Sequence, residues 1–389
     1  MRKNAVSQQL IPLDGGITAV DGFSCSDAVL SCPQMLFTEQ FSERLTIISS
    51  SARCVSACVF PAPTMPDMHT QWSMKQAKNA NVKALLLSES EKMDVQPLSE
   101  TQVKADFRCI ADVLGCEMKS VCAVNIGKVG SAFSAVSKQR LQTLQSAGNS
   151  QNVWQQCAYA FCLGDIVCRV GAIFIGGDEH SRQTGAQSTV CCLTTDVNIS
   201  PQMLEKAFIS AVEDAFYPLY LGVDRSPNDF YAILSSCNAG NYIISETDSE
   251  YKKFYTALKR MLEEIVLRIT KNDAKKRLFC LVNGAKSKQT AQALANAFSL
   301  SEHVRKQARL KDFHVETLLC ALANAGERVD IKRLQIYVRG ENGEIALFDY
   351  GKQTAVEQAA FAKLMGECDV HIEVRLHDGH YKASAIAKL

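Results

Sequence analysis

Apolar residues recur at helical spacing in several parts of the chain. The clearest case is 101–114, where they fall three and four residues apart and Gly115 follows as a stop signal. A second helix is predicted to begin at Ser200-Pro201, because serine is favoured at the cap and proline at the first helical position. The same spacing predicts further helices at 134–145, 153–162, 230–235, 250–269, 288–299 and 315–325.

Short apolar runs between turn residues predict β-strands. They occur at 82–87, 121–124, 168–174, 188–193, 278–282, 333–339, 344–348 and 369–376. The runs 45–49 and 54–60 flank a polar Ser-Ser-Ala-Arg turn and predict a hairpin. Because helices and strands mix without a regular alternation, the pattern favours a layered α+β fold over a doubly wound sheet.

Composition places the chain among well-cored globular proteins. It has 389 residues, 47% of them hydrophobic and 21% charged, which fits one large body or two lobes. The net charge of +1 provides no strong field to attract nucleic acid or an acidic membrane. No run approaches the ~18 apolar residues of a membrane span, and the first residues lack the apolar core of a signal peptide. We therefore expect a cytoplasmic protein without nucleic-acid or membrane partners.

The cysteines and histidines give little support for a metal site. None of the 16 cysteines forms a C-x-x-C pair, and most lie in apolar runs, where cysteine behaves as a small hydrophobe. His371, His377 and His380 lie close together in sequence, but the turn at Asp378-Gly379 favours a solvated surface. We expect neither a metal ion nor another cofactor.

Two hydroxyl residues, Ser188 and Thr189, come directly before a predicted strand near the middle of the chain. If the peptide bond before such a residue is cut, the new α-amine can act as base for the hydroxyl of the same residue. Serine and threonine are also common polar residues at strand starts, so their position leaves both interpretations open. Further along, Asp224, Asn228 and Asp229 are predicted to hold a loop through side-chain-to-backbone hydrogen bonds.

A series of short motifs appears in a fixed order along nearly the whole chain. They are GGITAVDGF at 15–23, NIGKVG at 125–130, TTDVNIS at 194–200, VDRSPND at 223–229, NAGN at 238–241 and VHIEVRLHDGHYKASA at 370–385. Together they resemble the landmarks of the ornithine acetyltransferases, the self-cleaving glutamate N-acetyltransferases of arginine biosynthesis. No motif is decisive alone, but their shared order makes a chance match improbable.

The resemblance implies a layered α/β sandwich of the self-processing, aminopeptidase-like type, made as one chain and cut in two. The halves would be 1–187 and 188–389, with 275–389 as a candidate smaller lobe. The implied reaction moves an acetyl group from N-acetylornithine to glutamate through an acyl-enzyme. The implied partners are a small amino-acid ligand, the second half of the cut chain, and further copies in a homo-oligomer.

The resemblance also assigns the reacting groups. An ungapped alignment places Ser188 at the family's nucleophilic threonine, and a one-residue deletion places Thr189 there. Ser188 is favoured because a deletion inside a strand moves later side chains to the opposite face. Gly127 could offer its amide to the developing oxyanion, whereas Ile126 stands where the family has a hydroxyl-bearing threonine.

The positions that contact substrate in the family are changed here. Ile166 replaces a threonine, Gly177 a lysine and Asn272 an acidic residue. An amino-acid substrate needs a cation for its carboxylate and an anion for its ammonium, so Arg169 and Lys128 are candidate replacements for the missing cation. The alternative hypothesis is a catalytically silent or repurposed member that acts as a binding or regulatory protein. A third is a different acid or amine in the same cleft.

Overall fold

The computed structural model describes the following residues: 10–31, 42–51, 54–61, 67–90, 99–127, 136–147, 154–175, 189–216, 228–271, 277–310, 312–340, 343–355, 364 and 369–389. The chain divides into two compact units. The first comprises Met1–Val212 and Arg225–Ile265, and the second comprises Glu213–Asp224 and Val266–Leu389.

The first unit contains two β-sheets. In spatial order, the six-stranded sheet consists of β1 (Ile11–Leu13), β7 (Gln155–Leu163), β8 (Ile166–Ile175), β9 (Val190–Thr195), β10 (Phe230–Ser235) and β4 (Val55–Val59). The four-stranded sheet consists of β2 (Phe23–Ser31), β3 (Ser42–Ser50), β5 (Ala84–Ser90) and β6 (Val121–Asn125). The helices that begin in this unit are α1 (Met68–Ala77), α2 (Glu100–Leu114), α3 (Lys138–Ser146), α4 (Pro201–Ala215) and α5 (Ser249–Lys271).

These elements form a helix–sheet–sheet–helix sandwich. Neighbouring residues of a strand point to opposite faces, so Ile48 enters the apolar core between the sheets whereas Ile47 packs with Phe107 of α2. On the outer face of the six-stranded sheet, Phe254 of α5 lies 6.3 Å from Phe161 of β7, measured between ring centroids. The predicted layered α+β class is therefore confirmed.

The second unit is one six-stranded sheet with helices on one face. Its elements are β11 (Arg277–Ala285), α6 (Lys288–Leu300), α7 (Glu302–Leu310), α8 (Val315–Ala323), β12 (Gln335–Gly340), β13 (Gly343–Asp349), β14 (Lys352–Gln353), β15 (Val370–Arg375) and β16 (Tyr381–Lys388). Along β15, Val370 and Ile372 enter the core with the helices. Glu373 faces the opposite way, where its carboxylate lies 2.6 Å from Arg339 and 2.8 Å from Arg375.

The predicted hairpin at 45–60 is wrong. Both segments are strands, but β3 pairs with β2 and β5 in one sheet, whereas β4 pairs with β10 in the other. Between the end of β3 at Ser50 and the start of β4 at Val55, the chain therefore passes from one sheet to the other. Local turn residues cannot reveal such a crossing, because a hairpin and a layer change need the same break between two strands.

Two predicted helices, at 153–162 and 230–235, are the strands β7 and β10. All six residues of β10 are buried, as are most of those in β7. A strand covered on both faces shows no polar–apolar alternation, and a short apolar run is then indistinguishable from a piece of buried helix. Pairing with β9 and β4 decided the outcome for β10.

The opening GGITA motif packs tightly on the six-stranded sheet. Ile17–Ala19 form one turn of 3-10 helix, and the carbonyl of Ile17 accepts a hydrogen bond from Thr194 Oγ1 at 2.8 Å. A Cβ on Gly171 of β8 would lie 2.1 Å from the carbonyl oxygen of Gly16. Glycine at both positions therefore permits a backbone approach that no side chain would allow.

Candidate active site

Thr189 lies immediately before β9 with 6% of its surface exposed. Its backbone N–H donates to Asp229 Oδ1 at 2.7 Å, and its carbonyl accepts from the N–H of Phe230 at 3.1 Å. Because β9 and β10 run parallel with Val190 opposite Phe230, the two strands begin side by side. Asp229, only 2% exposed, therefore fixes the backbone at the predicted junction.

The neighbouring residue links this junction to the predicted oxyanion segment. Asn228 Nδ2 donates to the carbonyl of Gly127 at 3.0 Å. The consecutive residues Asn228 and Asp229 therefore bring Gly127 and Thr189 into one neighbourhood. The predicted side-chain-to-backbone bonds of both residues are confirmed, although their partners lie far away in sequence rather than in their own loop.

The amides of the oxyanion segment already have partners inside the protein. Gly127 donates its N–H to Asn125 Oδ1 at 3.0 Å, and Ile126 donates to the carbonyl of Ser88 at 2.8 Å. The Ile126 side chain is 1% exposed. An oxyanion role for Gly127 would require its N–H to exchange Asn125 for the substrate, and this role stays a prediction.

A buried ion pair supports the same segment from behind. Glu43 accepts a hydrogen bond from Ser88 Oγ at 2.5 Å, and Arg140 Nη2 lies 2.6 Å from its other carboxylate oxygen. The carbonyl of Ser88 accepts the Ile126 N–H, so the end of β6 is connected to this buried charge pair. A paired and hydrogen-bonded carboxylate is tolerated in a core, where an isolated one is not.

The thiols of β9 do not compete as nucleophiles. Cys191 and Cys192 are fully buried, and burial raises the pKa of both thiols well above the usual value. The thiolate is the nucleophilic form, so both side chains act as apolar core residues. A hydroxyl at the start of the strand remains the candidate nucleophile.

Arg169 lies at the other end of β9. Its N–H donates to Asp196 Oδ1 at 2.7 Å, and its guanidinium lies 2.9 Å from Asp21. From Thr189 to Asp196 the chain advances seven residues, about 23 Å at ~3.3 Å per residue. The structure therefore does not bring Arg169 to Thr189, and its predicted role in substrate binding stays untested.

Ile166 is equally remote. It begins β8 and pairs with Leu163, whereas Ile175 at the end of the same strand pairs with Val190. Nine residues of extended chain separate Ile166 from Ile175, or about 30 Å. The remaining predicted positions, Ser188, Gly177, Asn272 and Lys128, lie outside the described residues.

Two cavities of the first unit lie elsewhere. One, of about 560 Å³, is lined by residues that include Cys54, Asn81 and Lys83, and another, of about 520 Å³, by residues that include Phe60 and Lys75. Neither lining includes Thr189, Gly127 or Asp229. They are therefore separate from the junction.

The three late histidines are spread along the second unit. His371 stacks on Phe279 with ring centroids 4.6 Å apart, and His377 Nε2 lies 2.7 Å from the amide oxygen Oε1 of Gln335. Within the described ranges, no three His, Cys, Asp or Glu side chains form a group that could hold a metal ion. Across the same ranges, no helix has both the length and the apolar character needed to cross a bilayer.

Sequence reasoning missed Asn125, whose side chain holds the Gly127 amide. It also missed that Asn228 and Asp229 join the two chemical segments. The NIGKVG and VDRSPND motifs contain these residues, but their roles depend on contacts between segments that are distant in sequence.

The fold and the junction together define a class: layered α+β sandwiches in which a central strand begins at a candidate nucleophile. A model of the ArgJ family matches residues 35–388, and the chain belongs to this family. The resemblance seen in the motifs is thereby confirmed.

Relatives of known name cover most of the chain. The arginine biosynthesis bifunctional protein ArgJ 1 of Clostridium acetobutylicum is 24% identical over 360 residues, covering 88% of this chain and 87% of the relative. The arginine biosynthesis bifunctional protein ArgJ of Symbiobacterium thermophilum is 22% identical over 391 residues, covering 96% and 95%.

Solved structures give weaker likenesses. The argJ structure from Bacillus halodurans has a TM-score of 0.46 at 24% identity, covering 52% of this chain and 92% of that one. Ornithine acetyltransferase from Mycobacterium tuberculosis, solved with ornithine, has a TM-score of 0.28 at 12% identity, covering 39% and 88%. The family assignment does not depend on them.

Proposed function

We propose that this chain is an acyltransferase of arginine biosynthesis that first cuts itself at the Gln187–Ser188 bond. The Ser188 hydroxyl would take the acetyl group from N-acetylornithine as an ester and release ornithine. The amine of glutamate would then attack the ester, form N-acetylglutamate and regenerate the hydroxyl. Thr189 is the alternative nucleophile.

One observation carries this proposal. The backbone at the start of β9 donates to the buried carboxylate of Asp229, and the adjacent Asn228 binds the Gly127 carbonyl, next to the position where the resemblance implies the nucleophile. Catalytic groups must be held by rigid surroundings to act, and both ends of this contact lie at the start of central strands. The named relatives match along nearly their whole length, so their similarity spans both sides of the junction.

The sheet pairing explains how two halves could stay together after a cut. β9 lies between β8 from the first half and β10 from the second, and β10 in turn pairs with β4 from the first half. β9 and β10 are buried along their whole length, as are most residues of β8. Cleavage at 187–188 would therefore leave an interlocked complex, and we expect the halves to separate only under denaturing conditions.

The altered contact residues support a modified substrate site. Gly177 and Asn272 cannot supply the charges expected from the family's lysine and acid. Affinity for ornithine and glutamate derivatives should therefore be low. Loss of one oxyanion donor typically costs about 10²–10³ in rate, so the absence of a hydroxyl at Ile126 should also slow the chemistry.

A second candidate function is a family member that has lost acyl transfer and acts as a binding or regulatory protein. The internal bonds of the Ile126 and Gly127 amides favour it, because neither N–H is presented to a substrate carbonyl. On this hypothesis the hydrogen bond from the Thr189 N–H to Asp229 only stabilises the fold.

A cleavage assay separates the two. The purified chain should run as two pieces, each about half of 42.7 kDa, if the proposed processing occurs. Acetyl transfer would be followed by mass spectrometry with N-acetylornithine and glutamate. Two pieces with transfer support the enzyme, whereas an intact chain without transfer supports the silent family member.

A further inference from the structure

We propose that the larger of the two cavities in the first unit is a binding site for a small organic monocarboxylate, with the Lys83 ammonium as the group that binds the carboxylate. The cavity has a volume of about 560 Å³, and all the residues that line it lie outside the junction. The site is therefore independent of the proposed acyl transfer.

Two turns that follow helices form much of the cavity wall. Asn79 and Ala80 follow α1, and Gly115 and Cys116 follow α2. Ala80 adopts a φ of 50°, which is uncommon for a residue other than glycine. Its carbonyl accepts the Ser56 N–H at 3.0 Å, so the turn is fixed against β4. The wall is thus formed before any ligand binds, as in most small-molecule sites.

Lys83 lies directly before β5, and hydrogen bonds hold its backbone on both sides. Its N–H donates to the Ser120 carbonyl at 2.8 Å, and its carbonyl accepts the Ser50 N–H at 2.9 Å. The side chain is partly buried and lines the cavity. Because the backbone is fixed, only side-chain torsions need to be ordered when a ligand binds, which lowers the entropic cost.

The acid nearest to Lys83 in the cavity wall is already paired. Glu117 Oε2 lies 2.7 Å from Lys119 Nζ. The hydrogen bond to Lys119 is the main cause of the lowered pKa of Glu117, and the charge of Lys83 is the smallest contributor. Among the described residues, the Lys83 ammonium forms neither an ion pair nor a hydrogen bond of its own.

The thiols beside Lys83 do not balance its charge. Burial is the main cause of the raised pKa of Cys54, about 12, and of the raised pKa of Cys116. Both thiols are therefore protonated and neutral near pH 7. Two lysines and one glutamate give the cavity lining a net charge of +1. A ligand with a single negative charge would neutralise it.

The remaining lining groups favour an organic anion. An ammonium binds a carboxylate through charge-assisted hydrogen bonds. Asn79 and Asn81 add amide groups to the wall, whereas Val55 and Pro201 add apolar surface that would pack against a short carbon chain. A volume of about 560 Å³ lies within the usual range for small-molecule pockets.

The cavity and the junction lie at opposite ends of β5. Ala84 follows Lys83 at the start of this strand, whereas Ser88 near its end pairs with Asn125, two residues before Gly127. Four residues of extended chain, about 13 Å at ~3.3 Å per residue, separate Ala84 from Ser88. A change at Lys83 therefore leaves the junction in place, and binding at the two sites can be measured separately.

The test is calorimetric titration of the full chain with butanoate. Butan-1-ol is the uncharged probe of similar shape, and chloride is the inorganic anion. Lys83→Met removes the charge and keeps the length of the side chain, and Lys83→Arg keeps the charge. Asn79→Phe fills the cavity without changing its charge. Lys104→Met is the matched control, because the Lys104 ammonium lies 2.9 Å from Glu100 on the exposed face of α2.

We expect the wild type to bind one butanoate and no butan-1-ol. Lys83→Met should weaken binding at least about tenfold, because a hydrogen bond to a charged group is lost. Lys83→Arg should retain binding, Asn79→Phe should abolish it, and Lys104→Met should match the wild type. Thermal melting would confirm that each variant is folded.

Three results would overturn the site. They are a wild type that does not bind butanoate, equal affinity in the folded Lys83→Met variant and the wild type, and chloride that displaces butanoate at equal concentration. A chain that binds butanoate through Lys83 yet neither cleaves nor transfers acetyl groups would overturn the proposed function alone.

Discussion

The two ends of β9 carry the same contact in different settings. At the start, Asp229 accepts the N–H of Thr189 at 2.7 Å, and at the far end Asp196 accepts the N–H of Arg169 at 2.7 Å. Asp196 has the Arg169 guanidinium 3.7 Å away, whereas Asp229 adjoins Asn228 and so reaches the oxyanion segment. The contact type is identical, so only the surroundings distinguish the two carboxylates: Asp196 lies beside a guanidinium, whereas Asp229 follows the residue that binds Gly127.

Among changes at the two ends of β9, removal of the Ser188 hydroxyl should have the largest effect on cleavage and acetyl transfer. Ser188→Ala should leave the chain uncut and abolish acetyl transfer, because loss of a nucleophile costs about 10⁶-fold in a serine protease. Thr189→Ala, judged by the same gel and mass measurements, should still cleave. Cleavage that persists in Ser188→Ala and stops in Thr189→Ala would move the nucleophile by one residue.

Restoring a hydroxyl to the oxyanion segment should have the next largest effect. Ile126→Thr reintroduces the family's threonine, and we expect acetyl transfer to rise by up to about 10²-fold. The variant should lose about 1–3 kcal/mol of unfolding free energy, because Ile126 is buried. Ile126→Val is the control, and an equal rise in that variant would exclude the hydroxyl as the cause.

The far end of β9 should respond in stability alone. Gly171→Ala places a Cβ 2.1 Å from the Gly16 carbonyl, so the backbone must move at a cost of about 1–3 kcal/mol. Denaturant unfolding of the wild type and the variant would measure the loss. An altered cleavage site in Gly171→Ala would contradict the separation of the two ends.

The smallest effect concerns the pH dependence at Asp196. Burial raises the pKa of this carboxyl above its usual value of 3.8, with the Arg169 amide and guanidinium opposing the rise. The folded state therefore binds the Asp196 proton more tightly than the unfolded chain does, which raises the free energy of unfolding at low pH. This contribution is lost as the pH rises through the pKa of the folded state.

Asp196→Asn should remove this dependence. Its unfolding free energy, compared with that of the wild type, should show the wild type relatively most stable below pH 3.8 and progressively less so above it. The change should be on the order of 1 kcal/mol per pKa unit. A difference that does not vary with pH would show that Asp196 titrates alike in both states.

Much of the architecture was open to sequence reasoning. The helix ending at Gly115 is present as α2, with that glycine in the left-handed conformation at φ 63°. The helix starting at Pro201 is α4, and Ser200 Oγ accepts from the Met203 N–H at 3.4 Å. Caps and amphipathic faces are local signals, so they predict a helix and its ends even when the element packed against it is unknown.

The wrong predictions of secondary structure and strand pairing all concern contacts that the local sequence does not show. β7 and β10 were predicted as helices, and β3 and β4 as a hairpin, although β7 pairs with the remote strand β1, β10 with β4, and β3 with β2 and β5. The candidate site has the same character. Thr189 and Gly127 were identified from motifs, yet the residues that join them belong to a third segment.

The amino-acid sequence by itself determined the family and the layered class, since ordered motifs and amphipathic periods are written along one chain, and it predicts the junction. Only the tertiary structure decided that Asp229 holds the junction, that Asn125 already uses the Gly127 amide, and that Arg169 lies at the opposite end of β9. Hydrogen bonds depend on distances of about 3 Å between atoms, and a linear pattern does not specify which distant segments approach so closely.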